Sequence, residues 1–165
     1  MTKKILVAYF SHSGNTREVA NQIQKIAGGD IFEIQAVKQY PNNYEAVKEV
    51  AQWEHNDDSR TELATKIENM GSYDVVFIGY PIWWGTFPAP VKSFLSEYDL
   101  AGKTIASFCT NEGSGLGDSV ADISRLCPKS MVLDGLAVRG SNSKNSQSKV
   151  FEWLRKSKLD KETHQ

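Results

Sequence analysis

Few residues in this chain are suited to covalent crosslinking or to metal binding. Its 165 residues include two cysteines, Cys109 and Cys127, and three histidines, His12, His55 and His164. Two cysteines are too few for the disulfide framework of a small secreted domain, and they indicate a reducing compartment. No group of Cys, His, Asp or Glu has the spacing of a metal site, and no Ser, His and Asp arrangement indicates a catalytic triad.

The chain also lacks a strong net charge and a long apolar run. Its 19 Lys and Arg against 20 Asp and Glu leave a formal charge of −1, which provides no field to attract nucleic acid or an anionic membrane. No apolar run is long enough to span a bilayer, and the start Met1-Thr2-Lys3-Lys4 contains no signal-peptide core. We therefore expect a cytoplasmic protein with neither nucleic acid nor a membrane as a partner.

Apolar segments alternate with amphipathic segments along the chain. Five strands are predicted, over residues 4–10, 30–37, 74–80, 104–109 and 131–139. Helical spacing of apolar residues between them indicates a doubly wound α/β fold with a parallel sheet. The length fits one domain, which we assign to residues 1–159, followed by a polar tail at 160–165.

The connection between the second and third strands, residues 38–73, is longer than one crossover needs. Its pattern predicts one helix from Tyr44 that is broken by the polar cluster at 54–59, and a second helix over 63–70. Trp53 and His55 are interpreted as a helix-end aromatic and a solvated histidine, with the border of a substrate pocket as the alternative.

The first predicted strand runs into a loop rich in hydroxyl groups, and an amphipathic helix follows. The loop reads Ser11-His12-Ser13-Gly14-Asn15-Thr16. The first N–H groups of a helix lack internal partners and carry partial positive charge, so such a loop can bind a phosphate. Gly14 permits a positive φ, and Asn15 is a candidate helix cap. The loop contains no lysine, so backbone dipoles would neutralise the phosphate, which suits a permanently bound cofactor.

Two further loops of unusual composition follow the third and fourth strands. One reads Pro81-Ile82-Trp83-Trp84-Gly85, and the other begins Thr110-Asn111-Glu112-Gly113 and continues through glycines at 115 and 117. Adjacent tryptophans on a loop suggest that they cover a flat ligand, although one of them could pack under the next helix. The glycines let backbone approach a ligand closely, but their spacing is not the dinucleotide pattern. We expect all three loops to meet at one edge of the sheet.

Other functions of such a fold require residues that this chain lacks. A phosphatase loop needs Cys-x5-Arg, but Gly115 stands six residues after Cys109. A response regulator needs an aspartate at the end of the third strand, where Gly79-Tyr80-Pro81 stands, and no P-loop sequence Gly-Lys-Ser/Thr occurs. These absences assign the chemistry to a cofactor.

Taken together, the three loops resemble those of short-chain flavodoxins. Residues 11–16 match the Ser/Thr-x-Ser/Thr-Gly-Asn-Thr pattern with which that family binds the phosphate of FMN. The resemblance implies a five-stranded parallel sheet of order 2-1-3-4-5 with helices on both faces. It also implies FMN-binding residues in each loop: Ser11, His12, Ser13, Gly14, Asn15, Thr16, Pro81, Ile82, Trp83, Trp84, Gly85, Thr110, Asn111, Glu112 and Gly113. Within this set, the family implies that the carbonyl of Gly85 can turn toward the flavin. A carboxylate at Glu112 near the ring would lower the reduction potential of the flavin, with a solvated loop residue as the alternative interpretation.

The resemblance leaves two classes of function open. The first is an electron-transfer protein that shuttles electrons between redox partner proteins. The second is an enzyme, an NAD(P)H-dependent FMN reductase of quinones or similar small acceptors, working as a monomer or a homodimer. The near-neutral charge and the long 38–73 segment favour the enzyme somewhat, whereas the motifs favour neither. A third reading, an FMN-dependent regulatory module, has no positive feature in its support.

Overall fold

A computed structural model describes residues 3–57 and 61–160, without the side chains of Tyr44, Asn56 and Asp57. Helices flank a parallel sheet on both faces. The strands are β1 (Ile5–Tyr9), β2 (Asp30–Glu33), β3 (Val75–Pro81), β4 (Thr104–Asn111), β5 (Met131–Val132) and β6 (Leu136–Arg139). The helices are α1 (Asn15–Ala27), α2 (Tyr44–Asp57), α3 (Ala89–Glu97), α4 (Ser119–Leu126) and α5 (Gln147–Lys156), with short 3-10 helices at Met70–Ser72 and Gly140–Asn145.

The sheet has the order β2-β1-β3-β4-β5, and β6 also pairs with β4. All of these pairings are parallel. The predicted order 2-1-3-4-5 is therefore confirmed.

The sheet is buried on both faces, as the near-continuous apolar strands predict. Leu6 and Ala8 of β1 belong to a core cluster with residues of α3 and α4. Ile5 and Val7 point to the other face, where they belong to a cluster with α1 and α5. Successive strand residues alternate between the faces, so each strand stabilises both layers of helices.

The fifth position of the sheet is divided into two strands, although a single strand over 131–139 was expected. Between β5 and β6, the carbonyl of Asp134 accepts a hydrogen bond from the indole N–H of Trp153 at 3.0 Å. This carbonyl is therefore used by α5. The N–H of Leu133 still bonds to the carbonyl of Ile105 in β4 at 2.9 Å, so the interruption is short.

The prediction of a helix over residues 63–70 is wrong. Residues 62–64 instead run antiparallel to residues 35–37, with the N–H of Val37 bonded to Glu62 O at 2.9 Å and the N–H of Ala64 bonded to Gln35 O at 2.7 Å. The strand β2 ends at Glu33 rather than at Val37, because residues 35–37 pair with residues 62–64 instead of with β1.

The predicted break of α2 at residue 54 is also wrong, because the helix continues to Asp57. Glu54 is buried, and its carboxylate accepts hydrogen bonds from Tyr40 Oη at 2.8 Å and Thr61 Oγ1 at 3.2 Å. Lys38 forms an ion pair with it. The polar cluster thus includes a residue of the buried helix face, while its end at 58–59 lies outside the described residues.

No helix among residues 3–57 and 61–160 is long and apolar enough to cross a membrane.

Candidate functional site

The three loops singled out in the sequence meet at the carboxyl ends of β1, β3 and β4. We name them loop 1 (residues 11–16), loop 2 (81–88) and loop 3 (110–118). A buried hydrogen bond of 2.8 Å joins the hydroxyl groups of Thr16 and Thr110, and so connects loop 1 to loop 3. Loop 3 is also bonded to loop 2, from Ile82 N to Thr110 O at 2.9 Å and from Asp118 N to Gly85 O at 2.7 Å.

Loop 1 turns sharply into α1. Gly14 has φ +98° and occupies the cap position, so the prediction that Asn15 caps the helix is wrong. Asn15 is the first helical residue, and its Oδ1 accepts a hydrogen bond from Ser143 Oγ at 3.3 Å. The hydroxyl of Ser11 accepts the N–H of Gly14 at 3.1 Å. The amides of the first helical turn have no acceptor four residues earlier within the helix, so they are available to an anion.

His12 and Ser13 face different surroundings in loop 1. The Nε2–H of His12 donates to the carbonyl of Pro41 at 2.8 Å, and its ring lies edge-on to Trp83 with centroids 5.8 Å apart. His12 therefore connects loop 1 to the segment before α2. Ser13 is exposed and can present its hydroxyl to a ligand from solvent.

Loop 2 contains a two-residue hairpin turn at Trp84-Gly85. Trp83 N bonds to Thr86 O at 2.9 Å, and Thr86 N bonds to Trp83 O at 3.4 Å. The φ angles of Trp84 and Gly85 are +55° and +82°, and a type I′ turn requires positive φ at both positions. Such a conformation disfavours a side-chain-bearing residue by about 1–2 kcal/mol. Strain of this kind concentrates at functional sites.

The two tryptophans of loop 2 both contact the segment that contains α2. Trp84 donates its Nε1–H to the carbonyl of Lys48 at 2.9 Å, and the Lys48 ammonium lies 5.6 Å from its ring centroid. Trp84 is still 39% exposed as a residue. Trp83 packs edge-on against Phe10 and Tyr40, at centroid distances of 5.7 and 5.2 Å. Residues 38–57 thus hold loop 2 in place.

Loop 3 is shaped by the side chain of Asn111. Its Oδ1 accepts the N–H groups of Gly113 at 2.8 Å and Gly115 at 3.1 Å, and its Nδ2 donates to Val138 O at 3.2 Å. This amide group is therefore used by the protein itself, and any contact of Asn111 with a cofactor would come through its backbone. Glu112 and Gly113, next to it, are exposed.

Two ionisable groups lie beneath loop 3 in the core. Burial raises the pKa of Tyr80 to about 12 and that of the Cys109 thiol to about 11. The Tyr80 hydroxyl bonds to Ser119 Oγ at 3.0 Å. Both groups are neutral near pH 7, so neither is suited to act as a base there. The part of the chain that the structure describes also contains no cluster of three or more His, Cys, Asp or Glu that could hold a metal.

A cavity of about 460 Å³ lies beside loop 2, on the face of the sheet that carries α3 and α4. Of the predicted site residues, Trp83 lines it, and His55 contributes to the wall. Thr86 Oγ1 donates to Asp122 at 2.6 Å, and Asp122 also forms an ion pair with Arg125. The residues that line the cavity are Ala51, Glu54, His55, Trp83, Thr86, Phe87, Pro88, Ala89, Lys92, Asp118, Ala121, Asp122, Arg125 and Leu126.

Sequence reasoning missed a fourth segment at this edge, residues 139–146, which we name the β6 segment. It begins at the last residue of β6, packs against α1 and bonds to Asn15 through Ser143. The signal was available, because Gly140-Ser141-Asn142 directly follows the predicted strand over 131–139 of the same parallel sheet. No comparable signal in the sequence indicated that Pro41 contacts loop 1 and that Tyr40 contacts loop 2.

The fold and this site were compared with known proteins. A family model for flavodoxin matches residues 4–157. Among solved structures, a candidate flavoprotein from Bacteroides eggerthii DSM 20697 is 33% identical, with 93% of this chain and 96% of that chain covered and a TM-score of 0.79. A second candidate flavoprotein, from Bacteroides uniformis ATCC 8492, is 28% identical over 94% of this chain and 99% of that one, with a TM-score of 0.81.

A flavoprotein from Lactobacillus acidophilus NCFM, solved in complex with FMN, shares the fold at 23% identity and a TM-score of 0.71, over 88% of this chain and 99% of that one. No match was found among curated proteins. The family match extends across β1 to α5 and includes all three loops. The chain therefore belongs to the flavodoxin family.

Proposed function

We propose that this protein transfers electrons between redox partner proteins through a bound flavin. The observation that carries the proposal is the meeting of loops 1, 2 and 3 at one edge of the sheet. In open α/β sheets, ligands bind at the carboxyl ends of the strands where consecutive connections leave toward opposite faces. Here β1 leads to α1 and β3 leads to α3, and these helices lie on opposite faces.

The cofactor is FMN. The chain belongs to the flavodoxin family, and one structure with the same fold contains FMN. Loop 1 fits the phosphate of FMN, since Gly14 at φ +98° directs the chain into α1 and leaves the first helical amides to bind an anion. When bound, FMN supplies hydride or single-electron transfer.

The remaining loops are suited to the flat ring of the flavin. The partly exposed indole of Trp84 offers an apolar surface, and stacking of aromatic rings contributes about 0.5–1.5 kcal/mol beyond simple burial. Loop 3 is held in shape by the bonds of Gly113 N–H and Gly115 N–H to Asn111, and its exposed backbone at Glu112 and Gly113 is placed to approach the polar edge of the ring. In this proposal loop 1 binds the phosphate, while loops 2 and 3 orient the ring.

A second candidate function is an NAD(P)H-dependent FMN reductase of quinones or similar small acceptors. The cavity of about 460 Å³ beside Trp83 favours it, because its volume falls within the range of roughly 300–1,000 Å³ that is typical of small-molecule sites. Such an enzyme would work as a monomer or a homodimer.

One experiment separates the two functions. The FMN-loaded protein is kept without oxygen, and its visible spectrum is followed after addition of NADPH and, separately, during stepwise reduction with dithionite. An electron carrier is expected to keep its oxidised spectrum with NADPH and to pass through a one-electron-reduced form with dithionite. Rapid bleaching by NADPH would contradict the carrier function and support the reductase.

The turn in loop 2 gives a prediction about cofactor binding. We expect Gly85→Ala to weaken FMN binding by about fivefold, because a Cβ disfavours φ +82° by about 1 kcal/mol. Relaxation of this turn would also disturb the bond from Asp118 N to Gly85 O. The measurement is a fluorescence titration of the apoprotein with FMN.

Gly102→Ala is the matched control for this prediction. Gly102 has φ +79° and, like Gly85, no atom within 4 Å of an added Cβ, but it lies before β4, away from the loops. Both variants are expected to lose similar thermal stability, and only Gly85→Ala to lose FMN affinity. Equal FMN affinity in the two variants would show that the turn does not contribute to the site.

A further inference from the structure

The β6 segment brings a cation to loop 3. Arg139 is the last residue of β6 and is paired in register with Asn111 at the end of β4. Its guanidinium donates from Nη2 to the carbonyl of Glu112 at 3.4 Å. A Cβ built on Gly113 would lie 3.7 Å from the same nitrogen. Arg139 therefore lies against the part of loop 3 that the proposed function assigns to the polar edge of the flavin.

The same segment also contacts loop 1. Ser143 bonds to Asn15, and a Cβ built on Gly140 would lie 2.7 Å from both Asn15 Nδ2 and Glu112 Oε1. The side chains of Asn15 and Glu112 thus approach the backbone of Gly140 from two loops. This close approach fixes the position of Arg139, the preceding residue, relative to both loops.

Without this segment, the three loops contain acidic side chains but no Lys or Arg. Residues 11–16, 81–88 and 110–118 contain no Lys or Arg, and they carry two carboxylates, Glu112 and Asp118. Arg17, just after loop 1, forms an ion pair with Glu33 of β2 at 2.7 Å. A flavin phosphate would add further negative charge. Arg139 is thus a cation held against a site whose own loops carry none.

We propose that Arg139 is a counter-charge for the reduced flavin, so that the site favours reduced over oxidised FMN more than loops 1 to 3 would alone. This inference rests on the proposed function. Two electrons and one proton convert the neutral oxidised ring into an anion, and a nearby cation lowers the free energy of that anion. Arg139 exchanges no proton or electron, and it opposes the effect of the Glu112 carboxylate.

The test compares the affinities of the protein for oxidised FMN and for FMN reduced by excess dithionite. We expect Arg139→Gln to lower the ratio of reduced to oxidised affinity by about fivefold, given one partly screened charge. That factor corresponds to a fall of about 20 mV in the two-electron midpoint potential. Arg139→Lys, which keeps the charge, is expected to preserve the ratio within about twofold.

Lys144→Gln is the matched control, because it removes one positive charge from an exposed position of the same segment. Its ratio is expected to equal that of the wild type. If Arg139→Gln weakens the binding of both forms of FMN equally, Arg139 only orders loop 3 and the proposal is overturned. Failure of the wild-type protein to bind FMN would instead overturn the proposed function itself.

Discussion

Replacement of Ser13 by aspartate is expected to weaken FMN binding by about 100-fold, through repulsion between the new carboxylate and the phosphate at short range. Ser13 is exposed in loop 1, two residues before the first residue of α1. Riboflavin lacks the phosphate, so its affinity is expected to change by less than about twofold. The measurement is a pair of fluorescence titrations of the apoprotein, one with FMN and one with riboflavin.

The fold is expected to tolerate this substitution. An acidic residue near the start of a helix interacts favourably with the helix dipole, so the apoprotein should retain its thermal stability. Ser124→Asp provides the control, since it adds the same charge at an exposed position of α4. Equal losses of FMN and riboflavin affinity in Ser13→Asp would contradict the placement of the phosphate in loop 1.

The second large effect is expected at Gly79, in the centre of the sheet. This residue of β3 is paired in register with Phe108 of β4, and an added Cβ would overlap the Phe108 ring, with even Cδ2 only 2.9 Å away. Phe108 is fully buried, and buried side chains are close-packed. We expect Gly79→Ala to lower the free energy of unfolding by about 3 kcal/mol, as measured by urea denaturation.

A second substitution tests whether the loss of stability in Gly79→Ala comes from the overlap with Phe108 rather than from alanine replacing glycine in general. Phe108→Leu in the Gly79→Ala background is expected to recover about 1–2 kcal/mol, because the two substitutions couple through one contact. Gly71→Ala, where an added Cβ meets no atom within 4 Å, should change stability by less than about 0.5 kcal/mol. If Gly79→Ala proves as stable as Gly71→Ala, the packing of β3 against β4 described above is wrong.

Much of this architecture can be predicted from the sequence because local and global signals agree. The apolar runs of β1, β3 and β4 are buried on both faces, and each ends in a loop of unusual composition. Parallel strands end at the same edge, so the convergence of loops 1, 2 and 3 follows once the strands are identified. The positive φ of Gly14 follows from the sharp turn into a helix in the same way.

The errors arise where contacts distant in sequence override local preference. Residues 63–70 were predicted as helical from apolar spacing, but backbone hydrogen bonds between residues 62–64 and residues 35–37 hold the start of this segment extended. Local pattern also identified Asn111 only as part of a loop, and its role in bonding Gly113 and Gly115 depends on the path of the chain. Asn15 lost its expected capping role because Gly14 takes the cap position and Ser143 bonds to its side chain.

The β6 segment shows a different limit. Its residues were read as the end of a strand and a polar connection, and nothing local indicated that Arg139 lies against loop 3. That contact depends on the register of β6 against β4, which the interruption between β5 and β6 sets. A one-residue shift in this pairing would turn the side chain to the other face of the sheet.

The most direct test of the cofactor site is a titration of the wild-type apoprotein with FMN and with riboflavin under identical conditions. If loop 1 binds the phosphate and loops 2 and 3 bind the ring, FMN should bind about 100-fold more tightly than riboflavin, which corresponds to about 2.7 kcal/mol. Equal affinities for the two flavins, or no binding of FMN, would contradict the assignment of these loops as the cofactor site.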